Sequence, residues 1–176
     1  MGLFAMRFCA GRFRFLIRLT HEYTLRGRHM VSIQLEYQGD LHCKTVHGPS
    51  GTELFTDAPK DNQGRGESFS PTDLCATALG SCMLTTMGIL ARTLNLDMKG
   101  ATAVVEKEMT SSAPRKIARL TVRIKMPKAL GAEDQVKLER AAHTCPVARS
   151  FASGGGAGGG VLLGMKAIQN ADSLRE

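Results

Sequence analysis

Two of the five cysteines stand where a thiol could do chemistry. Cys145 lies in H-T-C-P-V-A-R-S (143–150). There Thr144 or Cys145 can cap a short helix that has Pro146 in its first turn. Unsatisfied N–H groups and the helix dipole at such a start favour a thiolate. His143 is two residues away and Arg149 about one turn on. Cys82 lies in a long uncharged stretch that also holds Cys75. These two cannot bridge on one helix, because seven residues at about 1.5 Å each span roughly 10 Å, past the ~7 Å limit on Cα separation. A disulfide of this stretch therefore needs a distant partner, and Cys145 is the best-placed candidate. In such a pair one thiol attacks an electrophile and becomes a sulfenic acid. The other condenses with it to a disulfide, which protects against over-oxidation.

Other readings of these residues stand beside that one. A free cysteine also packs as a small hydrophobe, and that suffices for Cys75, for Cys43 in a strand and for Cys9 near the N-terminus. A Cys145–His143 nucleophile–base pair for acyl transfer has poor geometry, and no oxyanion motif accompanies it. An odd cysteine count without C-x-x-C is neither a secreted disulfide framework nor a zinc pattern. It fits a reducing, cytoplasmic compartment. His47, just before G-P-S-G, is expected to hydrogen-bond that turn.

The elements that must position Cys82 and Cys145 read clearly. S-P-T-D (70–73) supplies an N-cap serine, a proline at the first helical position and the acid of a capping box. No charge follows from 74 to 91. A helix apolar all round is expected to be buried, and Ala76, Ala78, Gly80 and Ser81 keep part of its surface thin. Residues 31–37 alternate as V-S-I-Q-L-E-Y, and 41–47 and 52–56 follow across turns, a three-stranded antiparallel meander. A polar loop at 58–69 delivers Arg65 and Glu67 to the helix start. Residues 101–109 and 118–126 form two strands, the second with Leu120, Val122, Ile124 and Met126 on one face. Residues 133–142 make an amphipathic helix. The tail from 153 opens as S-G-G-G-A-G-G-G, a flexible linker, and its last stretch is expected to form a short helix.

At 176 residues one domain is expected, large enough to bury a core without metals or disulfides. The net charge of +7 is unevenly spread. Arg7, Arg12, Arg14, Arg18, Arg26 and Arg28 face Glu22 alone within the first 30 residues, so the body is near neutral. Nothing there argues for nucleic acid or a membrane as partner. The long uncharged stretch is rich in small and polar residues, and soluble segments flank it, which favours burial in protein over a membrane span. Residues 1–29 read as a basic extension ahead of a domain starting at Met30, with an Arg-rich transit peptide as the alternative. The domain is set at 30–152 and the Gly-rich tail at 153–176.

G-E-S-F-S-P-T-D-L-C-A-T-A-L-G-S-C-M (66–83), followed by L-E-R-A-A-H-T-C-P-V-A-R-S (138–150), resembles the OsmC/Ohr family of thiol-dependent peroxidases. The segment at 35–59 fits the OsmC-like branch, and the resemblance covers about residues 30–151. It implies an α+β fold built as an intertwined homodimer, with sites at the dimer interface. It implies cofactor-free reduction of organic hydroperoxides or H2O2, with an external dithiol as reductant. Cys82 would be the peroxidatic thiol and Cys145 the resolving one. Three departures stand out. The Ohr branch has an Arg in the first β-hairpin where this chain has Q-G-D (38–40), and a Glu directly after the helix-start proline where this chain has Thr72. Arg65 and Glu67 are the candidates to substitute. A closing strand usual in the family is replaced by the Gly-rich tail. The alternative function is a non-enzymatic thiol redox sensor or a small-ligand-binding homologue.

Overall fold

The computed structural model describes residues 30–152 and 161–169. The N-terminal extension with Cys9, and the Gly-rich linker, lie outside the described residues.

Strands β1 (Ile33–Gly39), β2 (His42–His47) and β3 (Glu53–Asp57) form the expected antiparallel meander. The central helix α1 (Pro71–Thr93) follows. A second sheet comprises β4 (Thr102–Met109), β5 (Ile117–Lys125) and β6 (Leu162–Gln169), and the helices α2 (Ala132–His143) and α3 (Pro146–Ala152) precede its last strand. The architecture is α+β.

The capping box of α1 is complete. The Ser70 Oγ accepts from the Asp73 N–H at 3.1 Å, and Asp73 Oδ2 accepts from the Ser70 N–H at 2.8 Å. Helix spacing sets the buried stripe, with Ala76, Leu79, Gly80, Met83, Met87 and Ala91 turned inward. They pack with Leu120, Val122, Ile124 and Met126, and with Leu138, Ala142 and Cys145. Alternation on β5 thus does what its sequence implies. At Gly80 the helix meets β4 so closely that a Cβ would lie 2.7 Å from Val105 Cγ2.

Two expectations are corrected. The central helix is not buried all round: Thr77, Ala78, Ser81, Thr85 and Ile89 are exposed. Among the described residues only one flank of α1 has sheet and helices to lie against, and from 74 to 91 no charged side chain marks the other. The C-terminal stretch is a strand, not a short helix. β6 pairs in parallel with β5 from Leu162↔Arg119 onward, so the closing strand is present after the Gly-rich run. Its Ile168 is buried. The Ile168 N–H donates to Glu139 Oε1 at 2.9 Å, and Gln135 Nε2 donates to the Ile168 carbonyl at 2.8 Å, tying the strand to α2.

The first sheet carries one more feature. Ile33, Leu35 and Tyr37 share a face with Leu54, by register through Thr45 and Cys43, and all four are exposed.

Candidate functional site

Cys145 stands at the break between α2 and α3, fully buried. Its Sγ accepts a hydrogen bond from the Ala148 N–H at 3.3 Å, so the thiol caps the short helix as a serine would. Its carbonyl accepts from the Arg149 N–H at 3.1 Å. Cys82 projects from the middle of α1, half-buried, close enough for its thiol to act on the Cys145 thiol. Two thiols 63 positions apart in the chain are thus neighbours where α1 packs on α2 and α3. Burial pushes the Cys145 thiol up, and the neighbouring Cys82 adds to the rise. The Ala148 and Val147 amides pull the other way without cancelling it. All four cysteines among the described residues are free thiols.

Arg65 and Glu67 lie at the tip of the first hairpin rather than on the sulfurs. Arg65 Nη2 is 3.4 Å from Asp40 Oδ2, in the Q-G-D turn, and Nη1 is 3.8 Å from Glu67 Oε2. The Glu67 N–H donates to the buried Asp57 carboxylate at 3.0 Å, which anchors the loop. Among the described residues no hydrogen bond or ion pair joins Arg65 or Glu67 to Cys82. His47 holds its turn as expected, with Nδ1 2.7 Å from Ser50 Oγ. No cluster of His, Cys, Asp and Glu among the described residues is placed to hold a metal.

Sequence reasoning missed Lys107. It sits on the inward face of β4 with Ala103 and Val105, mostly buried, and reaches the helix start. Its Nζ lies 2.5 Å from Asp73 Oδ1 and donates to Thr72 Oγ1 at 2.9 Å. Burial alone would raise the Asp73 carboxyl, but the Lys107 and Ser70 hydrogen bonds together outweigh it and hold it below its ordinary value. The position that carries a Glu in the Ohr branch is thus a threonine bonded to a lysine. The signal was available: Lys107 is a lone cation on the inward side of an alternating strand.

A cleft of about 760 Å³ opens between α1, β4 and residues 66–69, with Gly80, Ser81, Val105 and Lys107 in its walls. Cys82 is not among them. Two residues on from Gly80, it is turned about 200° around the helix axis.

A family model described as OsmC-like protein matches residues 64–155. A crystal structure from Psychrobacter arcticus 273-4, named for osmotic stress induction and detoxification response, is 40% identical to the chain. It has a TM-score of 0.70, with 83% of this chain and 99% of that one covered. An organic hydroperoxide resistance protein, OsmC, from Legionella pneumophila is 14% identical with a TM-score of 0.62, over 82% and 99% of the two chains. One from Elizabethkingia anophelis is 12% identical with a TM-score of 0.64, over 83% and 99%. These last two are similar in fold. No curated protein matches the chain.

Proposed function

Because the chain belongs to the OsmC-like protein family, we propose that it is a thiol-dependent peroxidase acting through Cys82 and Cys145. The observation that carries this reading is the approach of the two thiols across the α1 and α2–α3 contact. The names of the Legionella and Elizabethkingia proteins, organic hydroperoxide resistance, support a peroxide-related role.

In the proposed cycle the Cys82 thiolate attacks the distal peroxide oxygen. The O–O bond breaks, and the leaving alkoxide takes a proton and departs as alcohol, or as water from H2O2. Cys82 is left as a sulfenic acid. Cys145 then attacks that sulfur, water leaves, and a disulfide joins the two. An external dithiol returns both to thiols. The raised Cys145 thiol suits the second role, since it stays protonated until the sulfenic acid forms beside it.

The active form proposed is a homodimer. The uncovered apolar side of β1–β3 and the uncharged open side of α1 are surfaces that a second copy would bury. Arg65, at the hairpin turn with Asp40 and Glu67, is the proposed stand-in for the hairpin arginine of the Ohr branch, with Glu67 supporting it.

The test is steady-state consumption of cumene hydroperoxide and of H2O2 with a dithiol reductant. Turnover in the native protein, lost in Cys82→Ser, is expected. Absence of turnover would leave the redox-sensor reading, which the Thr72–Lys107 bond at the helix start favours. A sensor oxidises once per thiol pair and does not cycle.

A further inference from the structure

Asp57 holds one oxygen in use and one in reserve. Its side chain is 1% exposed. Oδ2 accepts from the Glu67 N–H at 3.0 Å. Oδ1 is buried with no hydrogen-bond partner among the described residues. A buried carboxylate oxygen left so is costly, and nearly all such groups find a donor. His42 faces it. Register sets His42 opposite Asp57, and its Nδ1 lies 4.0 Å from Oδ1, about 1 Å beyond a charge-assisted hydrogen bond. The His42 ring stacks on Phe55, with centroids 5.7 Å apart and 16° between the planes. These three lie on the opposite face of β1–β3 from Ile33, Leu35, Tyr37 and Leu54. A second copy covering the apolar face therefore does not take their place.

The loop that Asp57 anchors has no slack. The Asp57 N–H donates to the Phe69 carbonyl at 3.0 Å, and the Gly66 N–H donates to the Ala58 carbonyl at 3.2 Å. At Gly64 a Cβ would fall 1.7 Å from the Ala58 oxygen. Arg65 sits between these two glycines, so its backbone follows the bond from Glu67 to Asp57. The other charges at this end of the sheet are matched or turned elsewhere. Lys44 pairs with Glu53, and Arg65 with Asp40 and Glu67. Glu36 stands beside Lys44 by register, and Lys60 lays its stem against Gly66. Among the described residues Asp57 is the one carboxylate within 4.0 Å of a His42 ring nitrogen.

We propose that Asp57 and His42 are positioning residues for Arg65 and work as a proton-operated latch. His42 takes a proton from solvent, its Nδ1–H donates to Asp57 Oδ1, and the carboxylate is then held at both oxygens. Loss of that proton releases Oδ1 and loosens the loop. Histidine is the side chain suited to this, since its charge changes between about pH 5 and 8. From the proposed function the inference takes only the role of Arg65.

The test is amide hydrogen exchange of the full chain at Arg65, Gly66 and Glu67, expressed against the unfolded rate at each pH. Protection should rise about fivefold from pH 8 to pH 6. His42→Gln should abolish the rise. Asp57→Asn keeps an acceptor for the Glu67 N–H, so its loop should stay protected but no longer respond to pH. Native protection that is flat with pH, or a rise that survives in His42→Gln or Asp57→Asn, would overturn the latch. In a dithiol-coupled peroxide assay, Asp57→Ala should lower kcat/KM about tenfold in the native background and no further in Arg65→Met. Equal losses in both backgrounds would overturn the assignment to Arg65. Native protein without turnover would strike the proposed function instead, and the exchange result would still decide the latch.

Discussion

Lys107 Nζ lies 2.5 Å from Asp73 Oδ1, fastening β4 to the first turn of α1. The lysine is mostly buried and the aspartate partly exposed, so the pair falls between a surface ion pair and a buried one. Lys107→Met is expected to cost about 1–2 kcal/mol, read as a lower urea midpoint at unchanged slope. The loss should depend on pH. The Asp73 carboxyl is held below its ordinary value in the folded protein. Its contribution is therefore complete above the unfolded carboxylate pKa, about 4, and is lost as pH falls through the folded value. The gap between native protein and Lys107→Met should be widest near neutrality and close in acid. A gap that is constant with pH would contradict this assignment.

Gly80 fixes how close α1 and β4 come. A methyl there would lie 2.7 Å from Val105 Cγ2, so Gly80→Ala must push strand and helix apart. A loss of about 1–3 kcal/mol is expected, the usual penalty of overpacking. Adding Val105→Ala should recover part of it, because the two sites share the contact. Strictly additive losses in a double-mutant cycle would show that the clash is relieved elsewhere.

Cys145 is fully buried, and its thiol is pushed up. At pH 7 it should be the slowest of the four described cysteines to react with iodoacetamide, since the thiolate is the nucleophile. Peptide mapping against time checks the order. Because the folded protein disfavours the Cys145 thiolate, stability should fall as pH rises past the ordinary thiol range, and Cys145→Ala should lessen that fall. Fast labelling of Cys145 in the native protein would contradict its placement.

Much of this was legible in the chain, and the exceptions share a cause. Ser70, Pro71 and Asp73 announce the helix start because a capping box is local. The alternation of Leu120, Val122, Ile124 and Met126 reads as a buried face for the same reason, since the period alone sets the side. The two flanks of α1 could not be told apart, because Thr77, Ser81 and Thr85 carry no charge to mark the open side. β6 was missed because its partner, β5, is distant in sequence and a glycine run precedes it. The shared face of Ile33, Leu35, Tyr37 and Leu54 needed register across two hairpins, which no single strand encodes. Arg65 and Glu67 lie in the loop before the helix start, as read, yet the partner of Arg65 in the turn, Asp40, comes from 25 positions earlier.

The most direct measurement is intact mass and peptide mapping after one equivalent of cumene hydroperoxide. The native protein should lose two hydrogen masses, with Cys82 and Cys145 joined in one peptide. In Cys145→Ser, a sulfenic acid on Cys82 should be trapped by dimedone. Native protein that keeps its full mass, with both cysteines still open to alkylation after denaturation, would contradict the pairing.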